Sequence, residues 1–144
     1  MLKFPERLKE LMFDKGLTPI VLANDLKVSN NYITRYLQGS HLPSYSIFVN
    51  LIEYFNCSAD FLLGLTEFPL YETSFLPATE FSSNFKKALK ESGLSQYAVQ
   101  KKTGISWASF HFWLKGIRSP YVDSLIKLAD AMSISVDALL GRIA

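Results

Sequence analysis

The sequence predicts an all-α protein made of two tandem copies of one five-helix unit joined by a short packed linker. Three observations lead there: a gapless internal repeat, apolar residues recurring at helical spacing in each copy, and Gly, Pro and Ser positions that stop and start helices at matching places. Residues 4–65 align with residues 81–142 at a constant offset of 77 (81 − 4 = 77). Gly16/Gly93, Gly39/Gly116, Pro43/Pro120 and Gly64/Gly141 pair as punctuation, and Leu17/Leu94, Ser29/Ser106, Leu37/Leu114, Leu51/Leu128, Ser58/Ser135 and Asp60/Asp137 match between them. The predicted organisation is a first domain over 1–66, a linker over 67–80 and a second domain over 81–144.

Each element has a local cause. Phe4, Leu8, Leu11 and Met12 share one helical face, and Gly16 ends that helix. Thr18 is a good N-cap with Pro19 at the first helical position, and the second helix runs through Ile20, Leu22, Ala23 and Leu26. Ser29 caps a third helix through Ile33, Tyr36 and Leu37 that Gly39 ends. A fourth follows Pro43 with Ile47, Phe48, Leu51, Ile52 and Phe55, and a fifth runs from Ser58 to Gly64. The second copy repeats this with Phe81, Phe85, Ala88 and Leu89, then 95–103, 106–114, 124–132 and 135–140.

Composition narrows the function. Nearly half the residues are apolar and 19% are charged, which describes a globular chain. No apolar run nears the roughly 18 residues a membrane span requires, and the start of the chain lacks the apolar stretch of a secretory signal, so a cytoplasmic protein is expected. The single cysteine, Cys57, excludes an internal disulfide and reads as a small buried apolar residue. His41 and His111 lack metal-ligand spacing, so no metal or other cofactor is expected and a solvated or phosphate-facing role suits both. No nucleophile–base pair, Gly-rich phosphate loop or paired carboxylate motif is present, and an enzyme is not expected. The charge is uneven: residues 1–66 balance, 67–80 carry three glutamates, and 81–144 carry nine basic against four acidic side chains. A basic second half points to a polyanionic partner.

The second and third helices of each copy are separated by two or three residues, which forces them to cross steeply as a helix-turn-helix. Gly-Leu-Thr/Ser before the second helix, Val/Ile-Ser before the third, Gly-x-x-x-Pro after it and Ser-x-Asp-x-Leu-Leu-Gly at the end recur in both copies. With these motifs, both halves resemble the phage-repressor/Cro-like (XRE-type) helix-turn-helix family, in lambda-repressor-like domains. The resemblance implies transcription regulation through double-stranded DNA, with the third helix reading bases and the flanking segments holding phosphates.

In the first copy the base-reading positions implied are Asn30, Asn31 and Arg35, with Tyr32 and Thr34 beside them. Asn pairs bidentately with adenine and Arg with guanine, so the chemistry suits the role. The plainer alternative is that Ser-Asn-Asn is a capped, solvated helix start. Thr18, Ser29 and His41 are the phosphate candidates, but Pro19 replaces the family's usual Gln and Lys27 its usual Gly, so a weaker grip is expected. In the second copy Gln96 and Gly104 conform, and Ser95, Ser106, Lys115 and Arg118 are the phosphate candidates. Its base-reading positions hold Trp107, Ala108 and Phe112, which offer little hydrogen bonding. Three readings stand: a protein interface with the first copy, the linker or another subunit, apolar contact with thymine methyls, or rings that face inward. A homodimer is one form the interface would take.

Residues 67–80 lack the Gly and Ser of a flexible tether; Phe68, Leu70, Tyr71, Phe75 and Leu76 predict a segment packed on one or both domains, stiffened by Pro69 and Pro77. Extended, it would reach roughly 46–50 Å, beyond the roughly 34–36 Å between half-sites one DNA turn apart. The function expected is sequence-specific DNA binding, the first domain reading bases and the second adding phosphate contacts, a dimer interface or both. The competing expectation is a protein-binding adaptor or antitoxin-like partner that keeps the fold without reading DNA.

Overall fold

The computed structural model describes residues 3–69 and 74–143, and it is all helical among them. The chain divides into two compact units, Met1–Ser74 and Phe75–Ala144. The first holds α1 (Phe4–Asp14), α2 (Pro19–Leu26), α3 (Asn30–Gln38), α4 (Tyr45–Phe55) and α5 (Ala59–Leu62). The second holds α6 (Phe81–Ser92), α7 (Gln96–Thr103), α8 (Trp107–Leu114), α9 (Val122–Ala131) and α10 (Val136–Leu139).

The starts of these helices follow from side chains able to accept from an orphan backbone N–H. Thr18 accepts from Val21, Ser29 from Asn31, Ser58 from Phe61, Ser95 from Ala98, Ser106 from Ser109 and Ser135 from Ala138. Replacing such a cap by Ala typically costs about 1 kcal/mol. One start differs from the sequence expectation: α9 begins at Val122 rather than at Ser124. Tyr121, extended after Pro120, already offers its carbonyl to the Leu125 N–H at 3.1 Å, so the helix nucleates a residue pair earlier.

In the first unit Phe4, Leu8, Leu11, Leu22, Ile33, Phe48, Leu51, Ile52 and Leu62 form the core, with Cys57 buried beside them. The second core is more aromatic. Phe85 packs edge-on to Phe110 at 5.3 Å, and Phe81 packs edge-on to Trp113 at 6.0 Å, an arrangement worth about 0.5–1.5 kcal/mol per pair beyond burial. Phe110 and Trp113 of α8 are thus consumed by the core, at the positions where α3 has Ile33 and Tyr36.

A buried arginine organises the end of each unit. Arg7 is buried on α1; its guanidinium donates to the Phe61 and Thr66 carbonyls and to Glu67, and lies 4.1 Å from the Phe61 ring centre. Arg142 is buried after α10, pairs with Asp137 and lies 4.2 Å from the Phe75 ring centre. The expected packing of the connecting residues is therefore corrected in its agents. Phe68 is 70% exposed and Leu76 51% exposed, while the anchors are the Glu67 carboxylate, the Pro69 carbonyl accepting from the Ser58 N–H, and the Leu76 N–H donating to the Arg142 carbonyl. Phe75 packs as expected, half-buried against the Arg142 guanidinium, whereas Phe68 and Leu76 do not, because backbone groups must find partners and isolated apolar side chains need not be covered. Leu70 and Tyr71, expected to pack as well, lie outside the described residues.

Candidate nucleic-acid interface

The turn between α2 and α3 is Lys27-Val28-Ser29, and between α7 and α8 it is Gly104-Ile105-Ser106. Both turns begin in the left-handed region, Gly104 at φ 73° and Lys27 at φ 58°. Lys27 holds that conformation despite its Cβ, with its N–H bonded back to the Ala23 and Asn24 carbonyls. The departure from Gly thus leaves the turn's geometry in place and adds an exposed cation to it.

α3 turns Ile33 and Tyr36 inward. Burial, and then the neighbouring Tyr32, pushes the Tyr36 phenol above its ordinary pKa, as expected for a core phenol kept neutral. Asn30, Asn31 and Arg35 lie exposed, and Tyr32 is 46% exposed. Among the described residues Arg35 makes no ion pair, so its guanidinium edges are open to a ligand. Thr34 is half-buried and its hydroxyl donates to the Asn30 carbonyl at 3.1 Å. His41 is exposed, with Nδ1 3.2 Å from the Ser40 hydroxyl.

The capping residues double as hydroxyl donors. Thr18, Ser29 and Ser95 each use an oxygen lone pair to accept a backbone N–H, which leaves the hydroxyl proton to donate outward. Ser106 also accepts at its oxygen but donates to the Ser109 hydroxyl at 3.0 Å. Gln96 is half-buried at the start of α7, and Lys115 and Arg118 are exposed after α8.

The outer surface of α8 is unlike that of α3. Trp107 is 61% exposed and Ala108 is exposed beside it. His111 is half-buried and lies nearly parallel to Trp107, ring centres 5.2 Å apart. Phe112 is also half-buried, with the Arg118 guanidinium 4.6 Å above its ring, so the expected exposed trio is reduced to Trp107 and Ala108. The Arg118–Phe112 contact and the Trp107–His111 stack were missed because sequence spacing shows which residues share a face but not which rings meet.

Among the described residues no group of three or more His, Cys, Asp or Glu is placed to hold a metal ion, and no helix is long and apolar enough to cross a membrane.

Two five-helix units, each with a capped helix pair crossing at a tight left-handed turn, define a tandem helix-turn-helix protein. Residues 4–62 match the family model described as a helix-turn-helix domain, and residues 84–144 match that of the Cro/C1-type HTH DNA-binding domain. The chain accordingly belongs to the helix-turn-helix DNA-binding regulators, with the two domains in tandem. No curated protein and no solved structure matches it.

Proposed function

We propose that this regulator binds a specific DNA sequence through its first domain, the second supplying phosphate contacts and a further interaction surface. The observation that carries the reading is the composition of the exposed face of α3. Asn30, Asn31 and Arg35 are the groups whose hydrogen-bond patterns match adenine and guanine edges, with Tyr32 and Thr34 flanking them. Thr18, Ser29 and His41 hold backbone phosphates in the first domain, and Ser95, Gln96, Ser106, Lys115 and Arg118 do so in the second. The excess of basic residues in 81–144 supports that division. Selection from random duplexes with the native chain and with Arg35→Ala tests it. The variant loses discrimination at one base pair; an unchanged preferred site and affinity would reject the base-reading role.

A second reading is a protein-binding adaptor. It is favoured by Ile20 and Val21, 60% and 44% exposed at the start of α2, where a phosphate-facing helix end would be polar. Absence of any salt-sensitive affinity for duplex DNA, with a complex forming on a protein partner, would select it.

A further inference from the structure

We infer that the outer face of α8 is a stacking platform for unpaired nucleobases, so that the second domain binds single-stranded nucleic acid. The inference rests on the DNA-binding reading above and names what its interaction surface takes. Trp107 presents 61% of its surface to solvent, and its indole is already one layer of a two-ring stack with His111, at 17° between planes. A ring with one face supported and the other open suits a flat aromatic ligand. The bases of a duplex cover each other's faces, so only an unpaired or unstacked base can lie on the indole. Stacking is also tolerant of base identity, since every base has a π-face, which accounts for Trp107, Ala108 and Phe112 at the positions where α3 has the two amides of Asn30 and Asn31 and the Arg35 guanidinium.

The charge of the second domain selects the same class of ligand. Arg118 lies 4.6 Å over the Phe112 ring, the exposed Lys115 follows α8, and the exposed Lys101 and Lys102 stand in the last turn of α7. Residues 81–144 carry nine basic against four acidic side chains. An apolar protein surface would not call for that excess, whereas a single strand offers both phosphates and free base faces.

The chain reports on this directly, because it contains two tryptophans and Trp113 is only 6% exposed in the core. The full chain is titrated with a thymidine 20-mer, with an abasic 20-mer of equal charge, and with a duplex of equal length lacking the preferred site, following indole emission and affinity. The thymidine strand quenches the emission and binds at least about tenfold more tightly than either comparison strand, and Trp107→Ala removes about tenfold or more of that affinity. Trp107→Tyr keeps most of it. Both variants retain the preferred duplex site of the first domain, whereas Arg35→Ala loses discrimination at one base pair of that site and leaves thymidine binding unchanged, so the two readings fail separately. Equal binding of the thymidine and abasic strands would reduce the site to charge alone and overturn the inference. So would equal quenching by the duplex, which would place the indole between paired bases, or a Trp107→Ala variant that loses self-association in light scattering while binding the thymidine strand normally.

Discussion

The Tyr54 hydroxyl donates to the Asp25 carboxylate at 2.6 Å, joining the last turn of α4 to the last turn of α2. That bond, then slight burial and the Asp25 charge, pushes the Tyr54 phenol above its ordinary pKa. Because α2 is half of the first helix-turn-helix, the bond fixes the element on which α3 rests. Tyr54→Phe is expected to lower stability by about 0.5–1 kcal/mol, a neutral-range cost since the contact is exposed. Urea denaturation measures it, and an unchanged midpoint would mean that water replaces the bond without loss.

Alkaline pH should unfold the first domain earlier than the second. Tyr45 is pushed up to about 12, by burial first and by Glu53 second. A phenol with a raised folded-state pKa holds its proton more tightly when folded. Its contribution is therefore fully present below about pH 10 and is lost as the pH climbs from there through about 12. Thermal melts of the native chain between pH 9 and 12 should show the fall, and Tyr45→Phe should flatten it.

Lys27→Gly is expected to stabilise the chain by about 0.5–1 kcal/mol. A left-handed conformation costs an L-residue about 1–2 kcal/mol, and part of the gain is offset by the freedom Gly adds to the unfolded chain. Gly104→Lys should produce the opposite change. Denaturation curves of the two variants check both signs.

Gly141 and Gly93 separate a conformational requirement from a spatial one. Both have positive φ, but a Cβ at Gly93 meets nothing within 4 Å, whereas at Gly141 it would sit 2.5 Å from Thr79 Oγ1 and 3.0 Å from Asn84 Oδ1. Gly93→Ala should cost about 1 kcal/mol, and Gly141→Ala about 1–3 kcal/mol more. Equal costs would show that the Thr79–Asn84 pair moves aside freely.

Lys115→Ala should weaken binding to all duplexes alike and reduce the salt slope by about 1, since one phosphate contact is lost. Affinities measured from 50 to 200 mM salt test this. A change confined to one sequence would make Lys115 a base-reading residue instead.

Much of the fold was legible because its causes are local. Thr18, Ser29, Ser95 and Ser106 announce helix starts by side chains that cap within three residues of themselves, and Gly39 and Gly116 announce ends by a backbone conformation. The inward face of α8 was legible too, since Phe110 and Trp113 repeat the spacing of Ile33 and Tyr36. The roles of Arg7 and Arg142 were hidden: a charged residue reads as exposed until the carbonyls and rings that accept it are brought together from more than 50 residues away, as with Arg7 and Phe61. Exposed Phe68 shows the reverse error, an apolar residue given no surface to cover. For the candidate interface, periodicity sorted α3 into inward and outward sets, while the contacts of Phe112 with Arg118 and of His111 with Trp107 depend on rotamers that no pattern of residues records.

The bonds from Pro69 to Ser58 and from Leu76 to Arg142 divide the connection between its neighbours, so each unit owns the end of chain that leaves or enters it. A chain severed between those anchors would yield two fragments with their cores, caps and terminal clamps complete. Such self-sufficiency makes each half a transferable module: a duplicated copy can be appended without redesigning the one already there, and its exposed helix is then free to diverge toward a different ligand.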